Sequence, residues 1–530
     1  MEARASLGNI FRTQDEQLEP VRAKIEGQIP EWLNGTYLRV GPGKFDLGDI
    51  TIKHYLDGYA MLSKFEIQDG IVNFTKRYVQ SDAYKKAIAA KKPVYAEFST
   101  KGCPGEGRTF FNRVASAFGS GCLTDNASLN LYEVGGEMFA CSETCHIHNI
   151  RTTDLGTVEA NKIDFYKHFG VYMATAHPLR CQVTGDLYNI GTSFKPTPKY
   201  HIIRIPKGGR SLKDTIKKSE IVSTIYPSWN TYVSYYHSFA MTKNYIVMLE
   251  QPLLMSIITL AEAKLTGRGL RDAMEWTPTE RNRFHIVEKS TGNILKTKYY
   301  SQEPFFYFHI ANAFEDSSGH IIIDINTYES EKILDKMSIE KLRADDVTDQ
   351  YPSQLQRFHL PIIMNAKEIP KHVNLLQNKK TKATAAKDME NSIVVTPESF
   401  GEPGFEGPIV NPNYYQKEHR FVFGTGTCLP GYYANSLCKI DTRTGHTKLW
   451  RDASTSFAGE PVFAPPPASV SNNNNKSTED SGILMAAVSV SQPGRQDFLV
   501  FVDAKTMKET ARALIPIQVP QAVHGIFLPQ

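Results

Sequence analysis

Short runs of alternating apolar and polar residues, separated by turns of the Asp-Gly or Thr-Gly kind, recur along nearly the whole chain. The clearest are Phe65–Phe74 (FEIQDGIVNF), Ile147–Val158, Phe284–Leu295, Leu437–Leu449 and Phe498–Ala511. Alternation puts every second side chain on one face of a strand, and glycine supplies the positive φ of a tight turn, so each run predicts a β-hairpin. Hairpins repeated with few helical periods between them predict an all-β chain. Among all-β architectures, the β-propeller is the one in which every four-stranded blade ends on such an outer hairpin.

Some segments depart from this pattern. Leu253–Trp276 has helical spacing and an apolar start. The segment 103–122 mixes Phe110, Phe111, Val114 and Phe118 with Arg108 and Arg113, a short basic amphipathic pattern. The stretches 378–391 and 469–482, the second with four consecutive Asn, read as polar loops. A chain of 530 residues exceeds the usual single-domain length, yet a closed propeller absorbs it at about 76 residues for each of seven blades. The expected organisation is one domain over 1–530, with 103–122 and 253–276 as insertions that cap it.

Composition narrows the class of partner. With 41% hydrophobic and 22% charged residues the chain can bury a large core and is neither disordered nor fibrous. A net charge of +4 without any Lys/Arg block excludes a nucleic-acid partner, and no obligate protein partner is evident. Cys103, Cys122, Cys141, Cys145, Cys181, Cys428 and Cys438 have no disulfide-framework spacing, and the N-terminal MEARASLGNIFRT lacks the apolar core of a signal peptide. A cytoplasmic protein is expected. No apolar run reaches the roughly 20 residues needed to span a bilayer.

Four histidines, His177, His237, His309 and His524, sit in short apolar stretches: ATAHP, YYHSF, YFHIAN and AVHGI. No two are close in sequence, and neither an H-E-x-x-H helix nor a Cys-x-x-Cys pair is present, so a shared metal would have to be gathered by the fold from separate strands. A propeller does this, because the innermost strand of every blade faces the axis, and the histidines are spaced near one, one and three blade lengths apart. Any single histidine in an apolar strand is more often a hydrogen-bonded core residue than a ligand. Most of the other histidines have polar neighbours; His419, between Glu418 and Arg420, reads as exposed.

The four strings in order, together with Trp32–Gly43 (WLNGTYLRVGPG) and His54–Gly58 (HYLDG), resemble the carotenoid cleavage oxygenase family, and within its animal branch the insect carotenoid isomerooxygenase type. The resemblance implies a seven-bladed β-propeller with a helical and loop cap, and Fe2+ held by His177, His237, His309 and His524. It places carboxylates of Glu143, Glu406 and Glu460 on the free ring nitrogens of three of them. A carboxylate there fixes the tautomer, makes the other nitrogen a better donor, and offsets the charge of a cation in an apolar cavity. Four nitrogen ligands leave two octahedral positions open for O2 chemistry.

The implied reaction is O2 cleavage of a carotenoid at its central 15,15' double bond, with trans-to-cis isomerisation of one half. Two other readings stay open: a retinyl-ester isomerohydrolase on the same ligands, and a non-catalytic carotenoid-binding protein. Tyr232, Tyr235, Tyr236 and Phe239 around His237, and Phe305, Phe306, Tyr307 and Phe308 before His309, are expected to line an apolar tunnel for the polyene. Because a carotenoid dissolves in membrane, Phe110, Phe111, Phe118, Leu253, Leu254, Ile257 and Ile258 are expected to dip into one leaflet, making the protein peripherally membrane-associated.

Overall fold

In the first predicted hairpin, strands Tyr59–Gln68 and Ile71–Tyr78 pair antiparallel up to Gln68 opposite Ile71. The turn residues Asp69 and Gly70 both take positive φ, 51° and 74°, the mirror-image turn whose twist matches the flanking strands. Phe65 and Phe74 face each other across it at 4.7 Å between ring centroids. The computed structural model describes residues 7–103, 124–344, 351–364, 366–377, 379–388, 392–426, 435–468 and 478–530.

The hairpins at 147–158, 437–449 and 498–511 also form as expected. The one at 284–295 forms as well, but its ladder is short. After strand Arg283–Glu288 the turn closes through Gly292 N–H to the Glu288 carbonyl, and the returning chain pairs Val287 with Ile294, with the Glu288 N–H donating to the Asn293 carbonyl and the Leu295 N–H to the Ile286 carbonyl. The same strand pairs along its whole length with Tyr245–Glu250 and, at its start, with Lys298–Ser301.

Among the described residues there are seven sheets of four or more strands. The two ends of the chain are sewn into neighbouring sheets. Gly35–Lys44 lies between Tyr59–Gln68 and the last strand, His524–Pro529, while Lys24–Gly27 joins Lys508–Leu514. Apolar clusters fill the spaces between sheets. The largest draws Ile202, Tyr235, Phe239, Met248, Phe306, Phe308 and Tyr328 from separate segments. Each such side chain contributes about 1.5–3 kcal/mol on burial, so the sheets are held face to face mainly by this packing.

Several expectations need correction. Leu253–Trp276 is not one helix: Leu253–Ser256 is a strand between Tyr232–Ser234 and Met274–Trp276, and the helix covers only Ile257–Thr266. Leu253 and Leu254, on opposite faces of that strand, are both buried and present no surface to a membrane. Ile257 is half-buried, and Ile258 stands 64% exposed. Within 378–391 the polar stretch contains a strand, Thr384–Lys387, whose Ala385 fills an apolar cluster. Phe110, Phe111 and Phe118 lie outside the described residues, as does most of the Asn-rich stretch. Cys103, Cys141, Cys181 and Cys438 are free, but Cys145 is disulfide-bonded, which its sequence spacing does not reveal. Among the described residues no helix is long and apolar enough to cross a membrane.

Candidate metal centre

Each of the four histidines sits at an interruption or an end of a strand. His177 lies between Met173–Ala174 and Leu179–Arg180, two short strands that pair with the same Leu187–Ser193. His237 lies between Tyr232–Ser234 and Ala240–Met241. His309 occupies a bulge, where the register of Phe306–Glu315 shifts between Tyr307 and Ile310. His524 opens the last strand, opposite Val40. Breaks and bulges release a side chain from the strict alternation of the ladder and re-aim it.

The four rings converge. Their candidate ligand atoms all lie within 4.8 Å of one another. The Nε2 atoms of His177 and His237 are 2.9 Å apart, and those of His309 and His524 are 3.3 Å apart. Behind them the expected carboxylates are in place. Glu143 meets His237 Nδ1 at 2.7 Å, Glu406 meets His309 Nδ1 at 2.8 Å, and Glu460 meets His524 Nδ1 at 3.0 Å. His177 has no carboxylate partner among the described residues; its backbone N–H donates to Thr175 Oγ1 at 2.8 Å.

Two tyrosines complete the network. The Tyr328 hydroxyl donates to Glu406 at 2.7 Å, and the Gly407 N–H donates to the same carboxylate. The Tyr235 hydroxyl donates to Glu143 at 2.9 Å. The sequence gives no sign of Tyr328, which follows His309 by nineteen positions on the neighbouring strand Ile321–Tyr328. Tyr235 was expected in the tunnel wall for its apolar ring, and its hydroxyl is what acts here.

Electrostatics disfavour a proton on two of the four rings. Burial, followed by the repulsion of the neighbouring rings, pushes His177 and His237 well below the usual imidazole range. Burial also works against charge on His309, but the Glu406 carboxylate outweighs it and raises that ring. Glu406 is held down to about 2: burial opposes its charge, while His309, Tyr328 and Gly407 favour it. Burial pushes Glu143 up to about 8 against the Tyr235 hydrogen bond.

The donor set fits a metal. His309 and His524 each present Nδ1 to a carboxylate, so their Nε2 lone pairs face each other, and two acceptors at that separation repel unless a cation joins them. Four imidazoles backed by three carboxylates suit a divalent first-row transition ion.

The aromatic residues divide. Phe308 packs on the site, with its ring centroid 5.2 Å from His237. Tyr236 keeps 7% exposure and hydrogen-bonds Thr192 Oγ1 at 2.8 Å. Tyr235, Phe239 and Phe306, at 1% exposure or less, are packed solid and have no free surface to line a tunnel. Phe305 and Tyr307 point to the other side of the strand, into a different apolar cluster with Phe358. Tyr232 pairs with Ser256 at the edge of its sheet.

With this geometry in view, the likeness to known proteins is extensive. The family described as RPE65, retinal pigment epithelial membrane protein, matches residues 10–529. The mitochondrial carotenoid-cleaving dioxygenase of Homo sapiens is 34% identical over 539 residues, covering 98% of this chain and 90% of that protein. The beta,beta-carotene 15,15'-dioxygenase of Homo sapiens is 33% identical over 531 residues, covering 98% and 94%. Cobalt-substituted Synechocystis ACO superposes with a TM-score of 0.75 at 21% identity, covering 99% of this chain and 98% of that one. An ACO/RPE65 chimera gives 0.76 at 22% identity, with the same coverage. These two likenesses establish a shared fold.

Proposed function

The chain belongs to the RPE65 family, with carotenoid-cleaving dioxygenases among its relatives, and from that premise we propose that it is a non-haem iron(II) dioxygenase that cleaves a carotenoid at the central 15,15' double bond. The observation that carries the reading is the convergence of four Nε2 atoms with three of the rings backed by carboxylates. Fe2+ is the proposed ion, held by His177, His237, His309 and His524 on the axis of a seven-bladed β-propeller; the seven sheets and the joined chain ends support that architecture.

In the balanced reaction, R–CH=CH–R' and O2 give R–CHO and R'–CHO: the carbon double bond and the O–O bond break and two carbonyls form. Bound Fe2+ would supply the activation of O2. The protein's part is positional. Glu143, Glu406 and Glu460 hold three rings in the tautomer that presents Nε2, and Tyr235 and Tyr328 hold two of those carboxylates. Phe308 and Tyr236 offer apolar and aromatic surface beside the rings, suited to a rigid polyene with no group that competes for the ion. Ile258 on the helix Ile257–Thr266 is the apolar contact proposed for a membrane leaflet, which would make the protein peripheral to the membrane; a cytoplasmic location is proposed beside it.

The finer reading, after the insect carotenoid isomerooxygenase, adds trans-to-cis isomerisation of one half of the polyene. The test is to incubate iron-loaded protein with all-trans carotenoid under 18O2 and resolve the products. Labelled C20 aldehydes support central cleavage, and equal cis and trans halves support coupled isomerisation. All-trans aldehydes alone remove the isomerase from the reading. No aldehyde from carotenoid, together with unlabelled retinol from a parallel incubation with retinyl ester, would replace it by the isomerohydrolase.

A further inference from the structure

Arg39 is one of the largest fully buried side chains in the molecule, at 1% exposure, yet it forms no ion pair with a carboxylate among the described residues. Its Nη2 donates to the Ala522 carbonyl at 3.4 Å, while Nε and Nη1 have no hydrogen-bond partner there. An unpaired guanidinium in the interior costs several kcal/mol, so its retention asks for a reason.

Its neighbours supply one. Arg39 lies directly opposite Gly525 in the sheet, as Val40 lies opposite His524. A Cβ added to Gly525 would stand 2.9 Å from Arg39 Cγ. A Cβ added to Gly459 would stand 2.2 Å from Arg39 Nη2. Arg39 is thus pressed against the residue after His524, bonded to the residue two before it, and pressed against the residue before Glu460, the carboxylate on that same histidine. From the same strand, Tyr37 donates its hydroxyl to the Glu460 backbone carbonyl at 3.2 Å. Burial pushes that phenol up to about 12, with the Arg39 charge lowering and the Glu460 charge raising it, so both charges act on one hydroxyl.

We propose that Arg39 is a positioning residue for the metal centre: it wedges the Gly459–Glu460 segment against the Ala522–Gly525 segment and so fixes His524 and its carboxylate as a unit. The proposal rests on the metal reading given above. It makes a prediction of unusual sign. By Coulomb's law alone, deleting a positive charge near a cation site tightens the cation. A lost positioning residue loosens it.

Co2+ is the probe, because its visible spectrum reports ligand geometry. Full-length protein would be loaded with Co2+ and the ion's loss to excess chelator followed, with the spectrum recorded before chelation. The expected result for Arg39→Met is loss about tenfold faster, the lower end of what partners of metal ligands cost, with an altered spectrum. Gly459→Ala provides a second route that keeps the charge: its φ lies outside the left-handed region, so alanine is allowed, and the new Cβ must displace the guanidinium. It should reproduce both changes even where Arg39→Met does not fold. Unchanged or slower Co2+ loss with a wild-type spectrum, in either folded variant, overturns the proposal. Failure of the wild-type protein to take up Co2+ would instead overturn the metal reading itself.

Discussion

Two buried histidine–carboxylate clusters in this molecule look alike in composition and differ in what they leave free. Around His419, Nε2 lies 2.8 Å from Asp324 and Nδ1 lies 3.0 Å from the Asn312 amide. Arg357 grips the same Asp324 with two bonds of 2.7 and 2.8 Å. Every ring nitrogen has a protein partner, so the cluster is complete and only holds the fold together. At the four-histidine centre each carboxylate takes Nδ1 and the Nε2 atoms face one another. Burial and charge pairing are common to both, and what marks the binding site is that its free Nε2 atoms converge on one point.

That comparison breaks most visibly with His524→Ala. The ring bonds only Glu460 and its fellow ligands, so its removal should abolish metal retention and aldehyde formation while leaving the fold in place. Metal analysis beside circular dichroism checks this; a variant that keeps a full complement of metal would contradict the ligand assignment.

Asp324→Asn should do the reverse. It strands the buried Arg357 charge, for an expected loss of about 3–5 kcal/mol in unfolding free energy, with metal affinity unchanged. The pH dependence has a definite sign. Burial opposes charge on Asp324, but Arg357 and His419 hold its carboxyl well below the usual range. A depressed carboxyl stabilises the fold above its unfolded pKa and loses that contribution as pH falls through the depressed value. Denaturant titrations over acidic pH should therefore show a steep acid limb in the wild type and a shallower one in Asp324→Asn.

Between these lies Glu406→Gln, which keeps size but removes the charge behind His309. Losses of about 10–100-fold in metal affinity are expected, since the orienting carboxylate is as much a part of the site as the ligand. Competition with a chromogenic chelator measures it, and an affinity within twofold of wild type would mean that the ring is oriented by packing alone.

The sequence made some of this legible for physical reasons. Alternation and Asp-Gly turns are local, so Tyr59–Tyr78 could be read as a hairpin with its turn placed. The ligands and their carboxylates were legible only through the resemblance, because ATAHP or YYHSF alone does not distinguish a ligand from a core histidine. His419 was misread as exposed: its neighbours Glu418 and Arg420 are charged, yet its side chain is fully buried. Its burial depends on Asn312 and Asp324, roughly a hundred positions away, which no local pattern contains. Leu253 failed for a related reason, since a strand pairing overrode a helical period and buried it. Phe306 and Tyr307 were grouped as one wall although successive strand residues face opposite sides, and they enter different apolar clusters.

The smallest effects sharpen the comparison within the metal centre itself. Tyr328→Phe and Tyr235→Phe each delete one phenol hydrogen bond to a carboxylate, worth about 1 kcal/mol, or roughly fivefold in metal affinity. They should part with pH. Glu406 sits at about 2 and keeps His309 and the Gly407 N–H after Tyr328 is changed, so it stays ionised at neutral pH. Glu143 sits at about 8, and without Tyr235 nothing else opposes burial so strongly, so its carboxyl moves higher still. In the metal-free protein a raised carboxyl must lose its proton before it can back a bound cation. Metal uptake by Tyr235→Phe should therefore weaken further from pH 9 to pH 7, while Tyr328→Phe keeps a constant ratio to wild type over that range. Parallel pH profiles for the two variants would mean that His237 takes its orientation from its packing against Phe308 and not from the charge on Glu143.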